Sequence, residues 1–292
     1  MNIFKALFGG KTETTEEKQQ NEEKKNFDIF KFDGVKAAKM GKYDYAVKCY
    51  KEALRIKEDL EVRDYLAQAL MRNGELLPAY EQLQKLAEAE PDNLAIFEQM
   101  AGVAYMMEDY QAMSHACEKA LLLDGNNAHV HYQYAQACIG QDDMINAIAM
   151  LTKAILLKPD YAEAYLLRGQ TLLKMGDVNG ADEDAVHLLE EHADNEDVLM
   201  LKARVEKARG HADDSISYYG KVIDVNPFCI EAFKERGAVK YEKGDMTGAQ
   251  EDMQKVLELN PEQVSDINGE YSAEGVEHKV RQAYSNINPL GL

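Results

Sequence analysis

Two pairs of histidines are the first places where this sequence could hold a metal ion. His129 lies close to His131, and His187 lies close to His192. Imidazole is a common ligand of zinc. Residues two apart on a helix point away from each other, and His187 and His192 straddle a predicted helix end. Neither spacing predicts a metal site, and we interpret His131 as a packing residue.

Four cysteines, Cys49, Cys117, Cys138 and Cys229, could serve as nucleophiles or as metal ligands. They are isolated from one another, and no C-x-x-C pair occurs. The sequence also lacks a Gly-rich phosphate loop, a G-x-S-x-G elbow and an H-E-x-x-H motif. We therefore predict a non-enzymatic protein with no catalytic residues, no metal and no cofactor, in a reducing compartment.

The charge balance narrows the class of partner. The chain has 33 Lys+Arg against 52 Asp+Glu, a formal net charge of -19, which argues against binding to nucleic acid. No apolar run approaches the roughly 20 residues that span a bilayer. Lys5 interrupts the apolar residues 1–10, and no cleavage site follows them, so we expect no signal peptide and a cytoplasmic location.

An internal repeat with a period of 34 residues organises the sequence. Small residues keep this step in one ladder: Ala67, Ala101, Ala135, Gly169, Ala203 and Gly237. A second ladder lies twelve residues later: Ala79, Met113, Ala147, Ala181, Ser215 and Ala249. The pattern appears once more upstream, with one residue missing from the step. A fixed period of this length predicts a stack of similar units.

Each unit has the pattern of two helices joined by tight turns. Apolar residues recur at steps of three and four, as in Val62, Leu66, Ala69 and Leu70. The break between the two halves of a unit falls at six positions: Gly74, Glu108, Asp142, Gly176, Gly210 and Gly244. Glycine suits a helix end because it adopts the left-handed conformation at no side-chain cost.

At this point the chain resembles the tetratricopeptide repeat family. The resemblance rests on GKYDYAVKCYKEAL (residues 41–54), AEAYLLRGQTLLKMGD (162–177) and EAFKERGAVKYEKGD (231–245). It implies an all-α, right-handed superhelical solenoid of about seven repeats over residues 27–263, with a concave inner face. One departure is the absence of tryptophan. The family favours tryptophan near the start of each first helix. At that position the successive repeats of this chain have Arg63, Phe97, His131, Tyr165, Leu199 and Phe233.

The resemblance places the candidate partner-binding residues on the first helix of each pair. These residues are Tyr65, Gln68, Arg72, Gln99, Tyr105, Met106, His129, Tyr132, Gln133 and Gln136. Their amides could bond the backbone of a bound chain, while aromatic and thioether groups bury its side chains. A merely solvated face is the alternative. Tyr65, Tyr105 and Tyr132 are the expected anchors.

Lys174, Arg204 and Lys207 form a second candidate set, which could contact a carboxylate of a partner. Local charge balance is the favoured alternative. Chaperone-binding relatives clamp a C-terminal carboxylate with Lys, Asn and Arg, but Asp64, Glu98 and Gly102 stand where some of those groups would be wanted, which disfavours that role. Glu206 and Lys240 occupy an apolar ladder, so they either pair with each other or mark a packing defect.

The two ends of the chain carry separate expectations. Residues 1–10 predict a short amphipathic leader whose Ile3, Phe4, Leu7 and Phe8 could anchor to a membrane surface or a partner, or could fold back on the first repeat. Residues 11–26 contain no apolar side chain and predict a flexible polar linker. Residues 264–292 predict a C-terminal cap and tail, with a capping helix at 273–287.

The sequence therefore favours a scaffold or adaptor that binds a protein or peptide segment in the groove. A structural subunit of a multiprotein assembly is the alternative, held at a membrane by weak surface contact through residues 1–10. The sequence does not determine the oligomeric state.

Overall fold

The computed structural model describes residues 14–260, which form α-helices joined by short turns. The helices are α1 (Thr15–Lys39), α2 (Tyr43–Ile56), α3 (Leu60–Arg72), α4 (Leu76–Ala89), α5 (Leu94–Met106), α6 (Tyr110–Leu123), α7 (Ala128–Gly140), α8 (Met144–Leu157), α9 (Ala162–Lys174), α10 (Val178–Glu191), α11 (Glu196–Ala208), α12 (Ala212–Val225), α13 (Ile230–Glu242) and α14 (Met246–Leu259).

The predicted period is confirmed by the helix boundaries. The odd-numbered helices from α3 onward begin at residues 60, 94, 128, 162, 196 and 230, and the even-numbered helices from α4 keep the same step. α2 begins at residue 43, which is 33 residues before α4, so the shorter first step is confirmed as well. The described part of the chain is an all-α solenoid of helix pairs, as predicted.

The turns within the pairs adopt the left-handed backbone conformation, as predicted for the breaks between the two halves of each unit. Gly74 has φ of 79° and Gly176 has φ of 84°. Glu108 and Asp142 take the same conformation with φ of 56° and 62°, although they carry side chains. Short polar side chains complete the helix starts: the Asp59 Oδ1 atom, for example, accepts a hydrogen bond of 3.0 Å from the Val62 amide.

The helices form two compact units that meet in sequence between Asp142 and Asp143. In the first unit each helix from α1 to α7 packs against the next, and α5 also packs against α7. In the second unit the same holds from α8 to α14, and α9 also packs against α11. The small-residue ladders lie in these contacts, where Ala67, Ala79, Ala203 and Ala249 are all buried. Bulky side chains there would force the helices apart.

The flexible-coil prediction for residues 11–26 is wrong from Thr15 onward. Thr14 and Glu17 form a capping box, in which the Thr14 hydroxyl accepts from the Glu17 amide at 3.2 Å and the Glu17 carboxylate accepts from the Thr14 amide at 2.7 Å. The Glu-, Gln- and Lys-rich residues that follow are good helix formers. They form the first turns of α1, which packs on the protein further along through the buried Phe27. These first turns are exposed, as their polar composition predicted.

The leader at 1–10 and the C-terminal cap and tail at 264–292 lie outside the described residues. The division into leader, linker, repeats and cap stays a prediction. Across residues 14–260 no helix combines the length and the apolar character needed to cross a membrane.

Candidate protein-binding face

The predicted binding residues lie on α3, α5 and α7, and we call this set the first-helix face. Tyr105 and Met106, at the end of α5, are 46% and 47% exposed. Gln68, Arg72 and His129 are also exposed, whereas Tyr132 and Gln136 are half-buried. An exposed aromatic ring beside an exposed thioether provides apolar area that a partner could bury.

Tyr65 is less accessible than the sequence predicted. Its ring packs at 5.8 Å from the ring of Tyr50, which is buried in α2. Its hydroxyl donates to the Glu61 Oε1 atom at 2.6 Å. Tyr65 therefore joins α3 to α2, and Tyr105 takes its place as the accessible aromatic group of this face.

Two glutamines one repeat apart hold amide oxygens that are buried without a partner. They are the Oε1 atoms of Gln99 on α5 and Gln133 on α7, which find no hydrogen-bond donor within residues 14–260. Gln133 is only 8% exposed. A buried acceptor left unpaired costs free energy, so these atoms are suited to accept from an ordered water molecule.

Three carboxylates adjoin this face, and we call them the acid pocket: Asp64, Glu90 and Glu98. Burial raises the pKa of Asp64, and the Glu90 charge adds to the effect, against a hydrogen bond from Gln68. Glu90 and Glu98 both line an open depression of ≈ 770 Å³ at the turn between α4 and α5. Glu90 and Glu98 thus place two negative charges at this depression, and Asp64 lies close enough to Glu90 for its pKa to respond to that charge.

In the second unit, the predicted carboxylate contacts are occupied by the protein itself. Arg204 on α11 holds Glu235 on α13 through Nε at 3.0 Å and Nη2 at 2.6 Å. Glu235 also accepts from the buried Tyr219 hydroxyl at 2.5 Å. Lys207 lies 3.9 Å from Glu242. Local charge balance therefore describes Arg204 and Lys207. Lys174 lies exposed near the end of α9.

The interpretation that Glu206 and Lys240 pair with each other is wrong. Glu206 pairs with Lys202 on its own helix and lies 2.7 Å from the His211 Nδ1 atom. Lys240 instead pairs with Asp252 at 2.9 Å. Each charge thus finds a nearer partner on its own or an adjacent helix.

Two arginine–aspartate pairs with the same geometry were not predicted. Arg168 on α9 binds Asp184 on α10 through two hydrogen bonds of 2.9 and 2.6 Å. Arg236 on α13 binds Asp252 on α14 in the same way, at 3.0 and 2.6 Å. Both members of the second pair lie two repeats after those of the first, a spacing that could have revealed them. They fasten the two helices of a pair and leave no free charge for a partner.

The histidines and cysteines behave largely as packing residues. His131 is buried, with its Nε2 atom 3.1 Å from the Gly125 carbonyl oxygen. The His187 ring packs 4.3 Å from the Tyr165 ring. Burial raises the pKa of the Cys117 thiol to about 12, so it is a poor nucleophile.

One unpredicted trio in the described part of the chain brings possible metal-ligand atoms within 4.8 Å of one another: Glu206, His211 and Asp214. Lys202 and Arg209 both lie against the Glu206 carboxylate. Because these cations already neutralise Glu206 and would repel a metal ion, we assign the trio to charge balance.

Comparisons with known proteins agree with this architecture. Two protein-family models, both described as tetratricopeptide repeat, match residues 37–60 and 139–205 of this chain. The Protein CTR9 homolog of Arabidopsis thaliana is 27% identical over 125 residues, which cover 42% of this chain and 12% of that protein. The chain thus spans about an eighth of this relative's length.

Two solved structures share the fold. A tetratricopeptide repeat protein from Parabacteroides merdae superimposes with a TM-score of 0.67 at 14% identity, covering 90% of this chain and 100% of that one. YrrB, described as having an unusual peptide-binding site, gives a TM-score of 0.53 at 17% identity, covering 68% of this chain and 96% of that one. At these identities the likeness concerns the fold alone.

Proposed function

The chain is a tetratricopeptide repeat protein, and from this premise we propose that it is a non-enzymatic adaptor that binds an extended protein segment on the first-helix face of its first unit. Proteins of this family are generally protein-binding, but the fold is reused for many partners. The choice of face must therefore come from the residues of this chain.

The observation that carries the proposal is the surface at the end of α5. Tyr105 and Met106 are adjacent, exposed and apolar. A bound segment would remove this apolar surface from water. Aromatic anchors commonly dominate the binding free energy of such interfaces.

Site-specific photo-crosslinking tests the proposal. A photoreactive amino acid replaces Tyr105 in the full chain, and in a control it replaces Leu122, an exposed apolar residue on α6. We expect a partner polypeptide to crosslink at 105 and not at 122, and we expect Tyr105→Ala combined with Tyr132→Ala to weaken its binding more than tenfold. Equal crosslinking at both positions, or unchanged affinity of the double variant, would show that the binding site lies elsewhere.

A second function, as a subunit of an assembly, is favoured by the outer side of α8. Ile145 and Leu156 are 73% and 72% exposed, and Ala149 and Thr152 lie between them on the same helical face. This stripe carries no charge over three turns, so a neighbouring molecule could cover it. Sedimentation analysis of Ile145→Lys with Leu156→Lys tests the idea: a mass that rises with concentration only in the unmodified protein would support assembly.

The location of the protein is part of the proposal as well. Within the described residues the four cysteines form no disulfide bond, which supports a reducing compartment such as the cytoplasm. Weak contact of residues 1–10 with a membrane surface or partner stays a prediction. Deleting those residues and measuring retention on lipid vesicles would test it.

A further inference from the structure

Ile29 on α1 is exposed at a repeat position that all the later helix pairs bury. It is 45% exposed, and it lies 33 residues before Val62, the third residue of α3. The third residues of the odd-numbered helices from α3 to α13 are at most 5% exposed: Val62, Ile96, Val130, Ala164, Val198 and Ala232. The repeat pattern thus places an apolar contact residue on α1 and leaves it uncovered.

The preceding helix pair buries this position in the later repeats. Val62 belongs to the same apolar cluster as Val47 and Tyr50 of α2, and Ile96 belongs to the same cluster as Leu83 of α4. α1 is the first helix of residues 14–260, and within them no pair precedes it. The first repeat therefore exposes the surface through which the others stack.

The uncovered surface is larger than one side chain. Phe32, one turn after Ile29, is 67% exposed. Both residues line an open depression of ≈ 430 Å³, whose lining residues all belong to α1 and extend from Asn21 to Asp33. We call this surface the α1 outer face. Covering it would remove aromatic and aliphatic area from water.

We propose that residues 1–10 of the same chain dock on the α1 outer face and cover it as a preceding repeat would. This segment carries four large apolar side chains: Ile3, Phe4, Leu7 and Phe8. Their burial against Ile29 and Phe32 supplies the driving force. The inference goes beyond the adaptor function, which concerns α3, α5 and α7.

The charges of the two surfaces are compatible. Residues 1–10 contain one lysine, Lys5, and no acidic residue. Asp28 and Asp33 line the depression, and neither forms an ion pair with another residue of the described part of the chain. Lys5 can therefore pair with one of these carboxylates at the edge of the apolar contact.

The length of chain before α1 allows this docking. Phe32 lies 17 residues after Thr15, about 26 Å along the helix at 1.5 Å per residue. Phe4 lies ten residues before Thr14, and an extended chain of that length spans about 33–36 Å. Residues 3 and 4 can thus run back along α1 as far as Phe32, while residues 7 and 8 pass the first turns of the depression.

The short connection also favours this segment over a second copy of the chain. Residues 11–13 join the segment directly to the helix on which it docks. A short tether gives an effective concentration on the order of millimolar, so even weak docking is populated within one molecule. A second copy would have to compete from a far lower concentration.

Photo-crosslinking from the α1 outer face tests the proposal on the full chain. Benzoylphenylalanine replaces Phe32 and, in a control, Leu77, a residue of α4 that is 59% exposed. Trypsin cleaves after Lys5 and Lys11, so mass spectrometry of the peptides identifies residues 1–5 or 6–11 when they are joined to position 32. The mass of the intact product shows whether one chain or two are joined.

Two leader variants show whether the apolar side chains are responsible. Phe4→Ser with Leu7→Ser removes two of them, whereas Gly9→Ser with Gly10→Ser makes the same number of changes and keeps all four. We expect a crosslink within one chain from position 32 and not from 77. Its yield should fall about tenfold or more in the first variant and less than about twofold in the second, because each buried side chain contributes at least one factor of ten.

Four outcomes would overturn the proposal. They are a crosslinked product with the mass of two chains, the absence of residues 1–11 from the peptides joined to position 32, and equal losses of yield in the two leader variants. The fourth is loss of the crosslink when phosphatidylcholine vesicles are added, which would assign residues 1–10 to a membrane surface instead. None of these results depends on binding at Tyr105, so the adaptor function is tested separately.

Discussion

A single methyl group added at Gly34 tests how tightly α1 packs on α2. A Cβ atom built at Gly34 would lie 2.5 Å from Cε1, 2.7 Å from Cδ1 and 3.0 Å from Cζ of Tyr50. Tyr50 is buried, and its ring already contacts Tyr65. The ring therefore cannot move aside without disturbing a second contact.

The expected change follows from two opposing effects. Replacing glycine by alanine within a helix stabilises it by about 1 kcal/mol. Overpacking a buried contact costs about 1–3 kcal/mol. We therefore expect Gly34→Ala to lower the free energy of unfolding of the first unit by about 1 kcal/mol.

Gly102, in α5 of the same unit, supplies the matched control. A Cβ atom there meets nothing within 4 Å, so Gly102→Ala should stabilise the unit by about 1 kcal/mol. Urea denaturation followed by circular dichroism measures both variants. If Gly34→Ala stabilises the protein as much as Gly102→Ala does, the inference that α1 packs closely on Tyr50 at Gly34 is wrong.

Three further predictions concern the second unit and the thiols. Asp184→Asn should destabilise the protein by about 2 kcal/mol in urea denaturation, because it weakens both hydrogen bonds to the half-buried Arg168; a loss below about 0.5 kcal/mol would contradict the role of this pair. Burial alone would raise the pKa of Glu235, but Arg204 and the Tyr219 hydroxyl hold it below the usual value. The stabilisation from this carboxylate should thus be complete above about pH 4.5 and lost as the pH falls through the lower pKa of the folded state. The urea midpoint of Glu235→Gln should therefore fall less steeply with decreasing pH than that of the unmodified protein. Cys117 should react with a thiol reagent only on unfolding, so Cys117→Ala should leave the native-state reaction unchanged.

The repeat architecture could be predicted from the sequence because its causes are local. The 34-residue ladders, the helical spacing of apolar residues and the turn glycines each act over one helix or one turn, and the helix boundaries confirm them. Polar composition alone misled the prediction for residues 15–26. Exposure was predicted correctly, but the capping box at Thr14 and the strong helix formers that follow it extend α1 through this segment.

The sequence by itself determined which elements form and which residue types lie on the first-helix face; only the tertiary structure decided which of those side chains remain available. The Tyr65 ring packs against Tyr50, whereas Tyr105 stays exposed. Arg204 is bound by Glu235, whereas Asp64 meets only a neutral amide. These outcomes depend on distances between residues that are far apart in the chain. Composition supplies the charges, but the packing of the helices determines which charges neutralise each other.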